Sequence, residues 1–304
     1  MAVKNVAAKV WSITPSSDGK RWSAWPAGDR PNLTGLIFPG NASSGGDIRM
    51  RWTGSARLSR TSCTVLCRAN YTAQNNYYAK MWFDGTPGTW DFGAFSVGAH
   101  PYPTSGSYNP VTGATTGGTG STHYHEIAGL GGGDFIATGD PGGVPQGALI
   151  VTKGVWKREA FKIQTVGGTT LRHTYRPDVV DNSSFSIVQD YPLSSIGSPS
   201  SPAFYFGASS WRAGQPSSGR NDETPNCILR GIALFSEPLN NTHCDAILAL
   251  DTDAEVLAYC SANSITSLWY LNMNPTPTDI SDKSGNGRNP SWNGTGSTPT
   301  LWTP

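Results

Sequence analysis

One short segment of the chain combines side chains that could perform acid–base chemistry. His123, Tyr124, His125 and Glu126 are consecutive. On a strand, His123 and His125 would share one face about 7 Å apart, while Tyr124 and Glu126 would take the other. A polysaccharide lyase needs a His or Tyr as base, so His123, His125 and Glu126 are the candidate catalytic set. Hydrogen-bonded structural side chains or a ligand-binding pair are the alternative interpretations.

Aromatic residues beside predicted loops form a second candidate site, for sugar. Sugar rings stack their C–H faces on Trp and Tyr, while nearby Asp, Asn and Arg side chains hydrogen-bond the hydroxyls. Trp292 lies beside a loop in this way, and for any single tryptophan, burial in the core is the competing interpretation. The predicted ligand-binding residues are Trp82, Trp90, Trp211, Arg212, His123 and His125.

An oxygen-rich loop near the end of the chain is the candidate metal site. Asp279, Asp282 and Asn286, with the Ser-Gly-Asn-Gly turn over residues 284–287, could supply the carboxylate and carbonyl oxygens that calcium prefers. Asx turns use the same residues, so a plain turn is the alternative. Calcium is the one cofactor that the sequence suggests.

The elements that must position these side chains are predicted to be strands. The 304 residues include 36 Gly, 22 Pro, 11 Trp and 11 Tyr, and only 14% are charged, which is typical of many short strands joined by turns. Short helices are predicted only near residues 241–259. The sequence therefore predicts an all-β fold, with a loop-rich lead-in over residues 1–46 and one domain over residues 47–304.

The segment Val155–Pro177 has the strongest strand pattern. Leu171, His173 and Tyr175 alternate with polar residues, as do Phe161 and Ile163 before the Gly-Gly pair. A two-residue turn would split these residues between two faces, whereas a three-residue loop places all five on one face. We therefore predict a hairpin with a three-residue loop, such as Val166-Gly167-Gly168 with the last glycine in the left-handed region.

Charge and cysteine content limit the partners and the compartment. The net charge of +1 gives no general attraction to nucleic acid or to an acidic membrane surface. No apolar run approaches 18 residues and the start has no apolar signal region, so neither a membrane span nor a signal peptide is expected. The five cysteines lack metal-finger spacing, which favours reduced, buried thiols in a protein made in a cytoplasm.

Four segments resemble the concanavalin A-like jelly rolls, and laminin G-like domains in particular. KGVWKREAFKIQTVGGTTLRHTY resembles the Trp-containing hairpin of that family, and RGIALFSEPLNNTHCDAILAL is similar to its closing strand with the helix that follows. LWYLNMN and DISDKSGNGRNP resemble its W-x-L and D-x-SGNG segments, although these usually open the domain and here come near its end. The resemblance covers roughly residues 47–292 and implies an antiparallel jelly-roll β-sandwich with one or two short helices.

That sandwich hosts lectins, glycosidases, lyases and structural modules, so function must be argued from a site. We favour a non-catalytic, lectin-like module that binds a glycan or polysaccharide. By general resemblance, it fits a bacteriophage virion protein, of the decoration, tail or fibre-associated kind, that contacts cell-surface glycans and other virion subunits or further copies of itself. The alternatives are a polysaccharide lyase centred on His123, His125 and Glu126, and a structural virion subunit without a ligand.

Overall fold

The chain forms two large antiparallel sheets with two short helices. The computed structural model describes residues 33–39, 48–53, 58–59, 61–71, 78–83, 96–102, 107–108, 115–116, 122–128, 135–137, 156–176, 187–193, 203–206, 226–294 and 298–303. Residues Asn32–Pro304 belong to one compact unit. The predicted all-β antiparallel sandwich with short helices near its C-terminal end is confirmed.

The described elements follow one another in this order: β1 (Gly35–Pro39), β2 (Ile48–Thr53), β3 (Cys63–Tyr71), β4 (Tyr78–Phe83), β5 (Ser96–Tyr102), β6 (Ser107–Tyr108), β7 (Thr115–Thr116), β8 (Thr122–Ala128), β9 (Phe135–Ala137), β10 (Trp156–Val166), β11 (Thr170–Arg176), β12 (Ile187–Pro192), β13 (Ala203–Phe206), β14 (Asn226–Phe235), α1 (Asn241–Leu248), α2 (Asp253–Ala262), β15 (Leu268–Asn272), β16 (Ser291–Gly294) and β17 (Thr300–Trp302).

Both sheets have a strand order that differs from the chain order. The eight-stranded sheet runs β12, β11, β10, β3, β14, β1, β17, with β15 also paired to β14. The seven-stranded sheet runs β16, β2, β13, β4, β5, β8, β9, and β6 pairs with β7 alone. Strands that are neighbours in space are therefore often distant in sequence, so side chains from remote segments meet on each sheet face.

The main hydrophobic core lies between the two large sheets. Phe161, Leu229 and Leu234 come from the eight-stranded sheet, and Trp52 and Phe204 come from the seven-stranded sheet; all five side chains are buried in one cluster. Trp52 sits against Phe204 with ring centroids 5.3 Å apart. Alternate residues of each strand supply this core, as strand periodicity requires.

The β10–β11 hairpin has the predicted three-residue loop, but it lies one residue later than Val166-Gly167-Gly168. Phe161 pairs with Tyr175 and Val166 pairs with Thr170, which leaves the three residues 167–169 as the loop. Gly167 and Gly168 both have positive φ, 59° and 73°, a conformation that glycine adopts without steric cost. Phe161, Ile163 and Leu171 are all buried in the same core cluster, so the parity argument is confirmed for these side chains.

Strand β1 is a sheet strand that the sequence pattern does not reveal. It lies within residues 1–46, the predicted loop-rich lead-in, yet it pairs with β14 on one side and with β17 on the other. Its five residues, GLIFP, contain no run long enough to show a period of two. A buried strand of this kind is decided by its neighbours and not by its own alternation.

The outer face of the eight-stranded sheet is covered in part by the two helices. A second cluster of buried residues joins Leu66, Ala160 and Phe235 of the sheet to Ile247 of α1 and Val256 of α2. Asn240 caps α1 through its side chain, and Thr252 with Glu255 forms a capping box at the start of α2. The position of Trp156 predicts either a partly covered second face or a bulge near Glu159 and Ala160. The pairing of β10 with β3 is unbroken there, which favours the covered face.

Two further expectations concern the thiols and the membrane. Cys63, Cys67, Cys244 and Cys260 are buried thiols that form no disulfide, and burial raises the pKa of the Cys244 and Cys260 thiols to about 11. Burial also raises the pKa of the Cys63 thiol, so Cys63, Cys244 and Cys260 stay protonated at neutral pH. In the described ranges, the helices are too short or too polar to span a bilayer.

Candidate functional site

Three arginines stand in one row across the outer face of the eight-stranded sheet. Arg158 of β10 is directly opposite Arg68 of β3, and Arg68 is directly opposite Arg230 of β14. Directly opposed residues of antiparallel strands lie about 5 Å apart and share a face. Arg68 and Arg230 are only 3% and 4% exposed, whereas Arg158 is half-buried, so the row runs from the protein interior towards solvent.

Arg68 fastens the connection between the two helices to the sheet. Its Nη1 donates to Asp251 Oδ1 at 2.5 Å. Its Nη2 donates to the carbonyl oxygens of Leu248, at 3.0 Å, and of Leu250. These carbonyls follow the end of α1, where main-chain oxygens have no helical partner. A single guanidinium therefore satisfies the end of a helix and forms a buried ion pair.

Arg230 is less well satisfied than Arg68. Its Nη2 lies 3.5 Å from Asp251 Oδ1, which is within ion-pair range. However, its Nε and Nη2 are enclosed and make no hydrogen bond in the described structure. Its guanidinium carbon lies 5.8 Å from the centroid of the Trp156 ring, a cation–π distance. Asp251 is therefore within ion-pair range of both arginines, but it accepts a close hydrogen bond from Arg68 only.

A β-bulge and a glycine give Arg230 its position. The pairing of β14 with β3 shifts between Arg230 and Ala233, so both of these residues face outwards although they are three apart in sequence. Gly231 has φ 61°, and its N–H donates to the carbonyl of Met273 at 3.0 Å. Bulges of this kind redirect side chains next to functional sites.

Two tryptophans meet beside the arginine row. Trp156 and Trp302 are both half-buried, with ring centroids 5.1 Å apart and an interplanar angle of 65°. Their strands β10 and β17 are four strand positions apart, or about 19 Å at about 4.8 Å per strand. Both side chains must therefore reach over the strands between them, and Gly35, which is opposite Trp302, has no side chain in the way.

We call Arg68, Arg158, Arg230, Trp156 and Trp302 together the arginine–tryptophan face. It combines partly exposed aromatic rings with guanidinium groups, which is the donor and stacking chemistry of a sugar site. None of the five is among the residues that the sequence pattern singles out for function. The signal that could reveal them is the strand register, which brings residues from four distant segments together.

The predicted ligand-binding residues that the structure describes occupy two alternating sets of rows in the seven-stranded sheet. Trp82 is opposite Tyr205, and Arg51 is opposite Tyr205 on the other side. Trp82 is opposite Ser96 of β5, and Ser96 is opposite Ala128 of β8, so Trp82 and Ala128 lie in one row. Along β8, His123 and His125 alternate with Glu126 and Ala128. The register therefore assigns Trp82 and Glu126 to one set and the two histidines to the other. Trp90, Trp211 and Arg212 lie outside the described residues.

Trp292 is packed against the core, which is the alternative to sugar stacking that the sequence leaves open for each tryptophan. It packs against the main core, with its ring centroid 6.4 Å from that of Phe38. Its Nε1 donates to the carbonyl of Pro277 at 2.9 Å. The indole is thus satisfied as a side chain of the sandwich.

The predicted calcium residues make hydrogen bonds to their own loop and to strand β15. Asp282 Oδ1 accepts from the main-chain N–H groups of Leu271 and Ser284, and its Oδ2 accepts from that of Arg288. The amide nitrogen of Asn286 donates to the carbonyl of Leu268. These are the contacts of an Asx-type turn. Among the described residues, no three His, Cys, Asp or Glu side chains are close enough to hold a metal ion.

Asp279 gives this loop a pH dependence. The Lys283 ammonium, at 2.7 Å, and then Ser281 lower the pKa of Asp279 to about 2. A lowered pKa contributes stability above about pH 4, which is lost as the pH falls towards 2. Since the pair is exposed, we expect Asp279→Asn to lower the free energy of unfolding by at most about 1 kcal/mol at pH 7.

Urea unfolding of both proteins at pH 7, pH 4 and pH 2 measures this difference. The difference between wild type and variant should shrink between pH 4 and pH 2, and Lys283→Met should give a similar loss at pH 7. A difference that stays constant down to pH 2 would mean that the carboxylate charge is not the source of the effect.

Comparison with known proteins gives distant structural similarities. The sequence matches no family model and no curated protein. A protein of Bacteroides ovatus named for carbohydrate binding is 14% identical, with a TM-score of 0.47, over 90% of this chain and 60% of the other. The heptameric SAP-like pentraxin of Limulus polyphemus is 12% identical, with a TM-score of 0.41, over 71% and 82% of the two chains.

Tailspike protein 2 of the Escherichia coli O157:H7 bacteriophage CAB120 is also similar, at 11% identity and a TM-score of 0.39. That similarity covers 83% of this chain and 31% of the tailspike. Similarities this distant assign no function to the chain, which must be argued from the side chains of the arginine–tryptophan face.

Proposed function

We propose that the chain is a non-catalytic carbohydrate-binding module and that it binds a polysaccharide on the arginine–tryptophan face. One observation carries the proposal: the half-buried rings of Trp156 and Trp302 meet directly beside the guanidinium row. An indole ring offers a flat apolar surface to the C–H face of a sugar, and a guanidinium donates several hydrogen bonds to its oxygens. A sheet face that carries both is suited to a shallow, polar ligand.

The resemblance of the sequence to concanavalin A-like jelly rolls supports the same class of function, because lectins are among the proteins built on that sandwich. Membership of a bacteriophage virion is a second part of the proposal, and buried thiols without a disulfide are its support. A virion subunit would bind other subunits or copies of itself as well as a cell-surface glycan.

Removing either indole is expected to weaken glycan binding. We expect Trp156→Ala and Trp302→Ala each to lower the affinity for a bound polysaccharide by about tenfold, which corresponds to about 1.4 kcal/mol of lost stacking. The glycan is first identified on a glycan array, and the affinities are then measured by isothermal titration calorimetry. Leu301→Ala is the matched control, because Leu301 is an exposed neighbour on the same strand. Circular dichroism of each variant checks that it is folded.

Other outcomes of the same experiment favour the alternatives. Loss of binding with Trp82→Ala but not with Trp156→Ala would move the site to the seven-stranded sheet, next to Tyr205 and Arg51. Binding that requires added calcium would implicate the loop of Asp282. Ultraviolet absorbance from unsaturated uronate products would favour a lyase that uses His123, His125 and Glu126, and no binding to any glycan would favour a structural subunit.

A further inference from the structure

Arg68 and Arg230 together carry more positive charge than their described partners neutralise. Arg68 and Arg230 are both buried, and Asp251 is the one carboxylate for which the described structure gives a contact with either. Burying an ion without a partner is costly, because hydration is lost and nothing replaces it. Because the two guanidinium groups share one carboxylate, one positive charge is not neutralised.

The surplus is concentrated on Arg230. Its Nε and Nη2 atoms are enclosed and have no hydrogen-bond acceptor in the described structure. The residue as a whole is only 4% exposed. Burial, and then repulsion from Arg68, lowers the pKa of Arg230 to about 9; Asp251 acts in the opposite direction, and Arg158 adds a smaller repulsion. At neutral pH the side chain remains a cation.

The surroundings of Arg230 indicate the kind of group that would satisfy it. On one side the Trp156 ring lies 5.8 Å away, and at the other end of the row Arg158 is half-buried. The hydroxyl groups of a neutral sugar cannot balance the charge, whereas a carboxylate or a sulfate ester both accepts from guanidinium N–H groups and neutralises them.

We propose that the row formed by Arg230, Arg68 and Arg158 is an anion subsite, and that it selects polysaccharides that carry carboxylate or sulfate groups. The inference rests on the proposed function and narrows its ligand to an acidic glycan. The acidic group binds at Arg230 and Arg158, while the sugar ring that carries it stacks on Trp156 or Trp302. Neutral glycans stack on the rings and accept hydrogen bonds from the guanidinium groups, but they do not neutralise the charge and bind more weakly.

The first test compares two oligosaccharides of equal length, a polygalacturonate fragment and a neutral galactose oligomer, by isothermal titration calorimetry on the intact chain. We expect the acidic ligand to bind at least about tenfold more tightly, as one charge-assisted pair would give. A sulfated galactan fragment shows whether sulfate replaces carboxylate. Equal affinities for acidic and neutral ligands would overturn the anion subsite and leave the proposed function intact. No binding of any of these ligands, or of the array glycans, would overturn the proposed function instead.

The second test assigns the preference to Arg230. Arg230→Met keeps the length of the side chain and removes its charge, so it should abolish the preference for the acidic ligand over the neutral one. Arg172→Met is the matched control, because Arg172 lies on the same sheet in an exposed pair with Asp190. If Arg172→Met loses the preference and Arg230→Met keeps it, the anion binds elsewhere and the assignment is wrong.

A third measurement does not depend on a glycan. Sodium sulfate and sodium chloride are compared at equal ionic strength in thermal unfolding of the wild type, Arg230→Met and Arg172→Met. Because sulfate also stabilises folded proteins in general, the expected result is a larger sulfate shift for the wild type and Arg172→Met than for Arg230→Met. If Arg230→Met does not fold, Asp251→Asn replaces it and should show a larger shift than the wild type, since it removes the carboxylate that competes with the anion. Equal shifts in all proteins would contradict the subsite.

Discussion

Asp251→Asn is expected to lower the free energy of unfolding by about 3 kcal/mol, the usual cost of breaking a buried ion pair by removing one partner. Arg68 is 3% exposed, and its Nη1 lies 2.5 Å from the Asp251 carboxylate. Without that carboxylate, Arg68 and Arg230 remain buried and face each other as like charges. Urea unfolding followed by circular dichroism measures the loss.

The exposed pair of Arg172 and Asp190 is the matched control for this prediction. Its two side chains are 38% and 42% exposed with a nitrogen–oxygen distance of 2.7 Å, so Asp190→Asn should cost less than about 1 kcal/mol. The exposed pair has two hydrogen bonds between its side chains and the Arg68–Asp251 pair has one, so a larger loss in Asp251→Asn would come from burial and not from the number of contacts. If both variants lose the same small amount, burial of the arginine row does not determine its energetics.

The loss should also loosen the link between the helices and the sheet. Arg68 donates to the carbonyls of Leu248 and Leu250 only while its guanidinium is held in place. Hydrogen exchange in α1 and α2 should therefore be faster in Asp251→Asn than in Asp190→Asn, because these helices rest on the sheet through the second hydrophobic cluster. The outer face would become the least stable part of the sandwich.

How much of the fold the sequence predicts depends on the range of the interactions involved. Alternation within β10 and β11 was sufficient to predict the odd loop, since Phe161, Ile163 and Leu171 had to share one face. Strand β1 was missed because five residues carry no usable period, and its place in the sheet comes from contacts with β14 and β17. Local patterns predicted local elements, and strand order needed contacts between distant segments.

The arginine–tryptophan face shows the same limit for function. Arg68, Arg158 and Arg230 are far apart in the sequence, and each taken alone resembles a solvent-facing charge on a strand. Their proximity depends on the register of three strands and on the bulge at Gly231, which breaks the alternation of β14. Clusters such as His123 to Glu126 attract attention because they are contiguous, whereas a sheet assembles its sites across strands.

Trp52→Ala is expected to destabilise the protein by about 3–5 kcal/mol, as is usual for truncation of a large buried aromatic. Trp52 is 1% exposed and contacts side chains from both sheets, with ring centroids 5.0 Å from Tyr270 and 5.3 Å from Phe204. Removing the indole leaves a cavity that a close-packed sandwich core can fill only in part. Val188→Ala, at a side chain that is 50% exposed, should be nearly neutral in the same urea titration.

The effect of Trp52 should extend to the loop that was predicted to bind calcium. Its Nε1 donates to the carbonyl of Arg288 at 2.7 Å, and the N–H of Arg288 donates to Asp282. Trp52→Phe keeps most of the ring and removes this donor, so it should cost about 1–3 kcal/mol for the unsatisfied carbonyl and the smaller ring. If Trp52→Phe is as damaging as Trp52→Ala, the hydrogen bond to the loop dominates. If it is neutral, packing alone explains the residue, and the loop is held by Asp282.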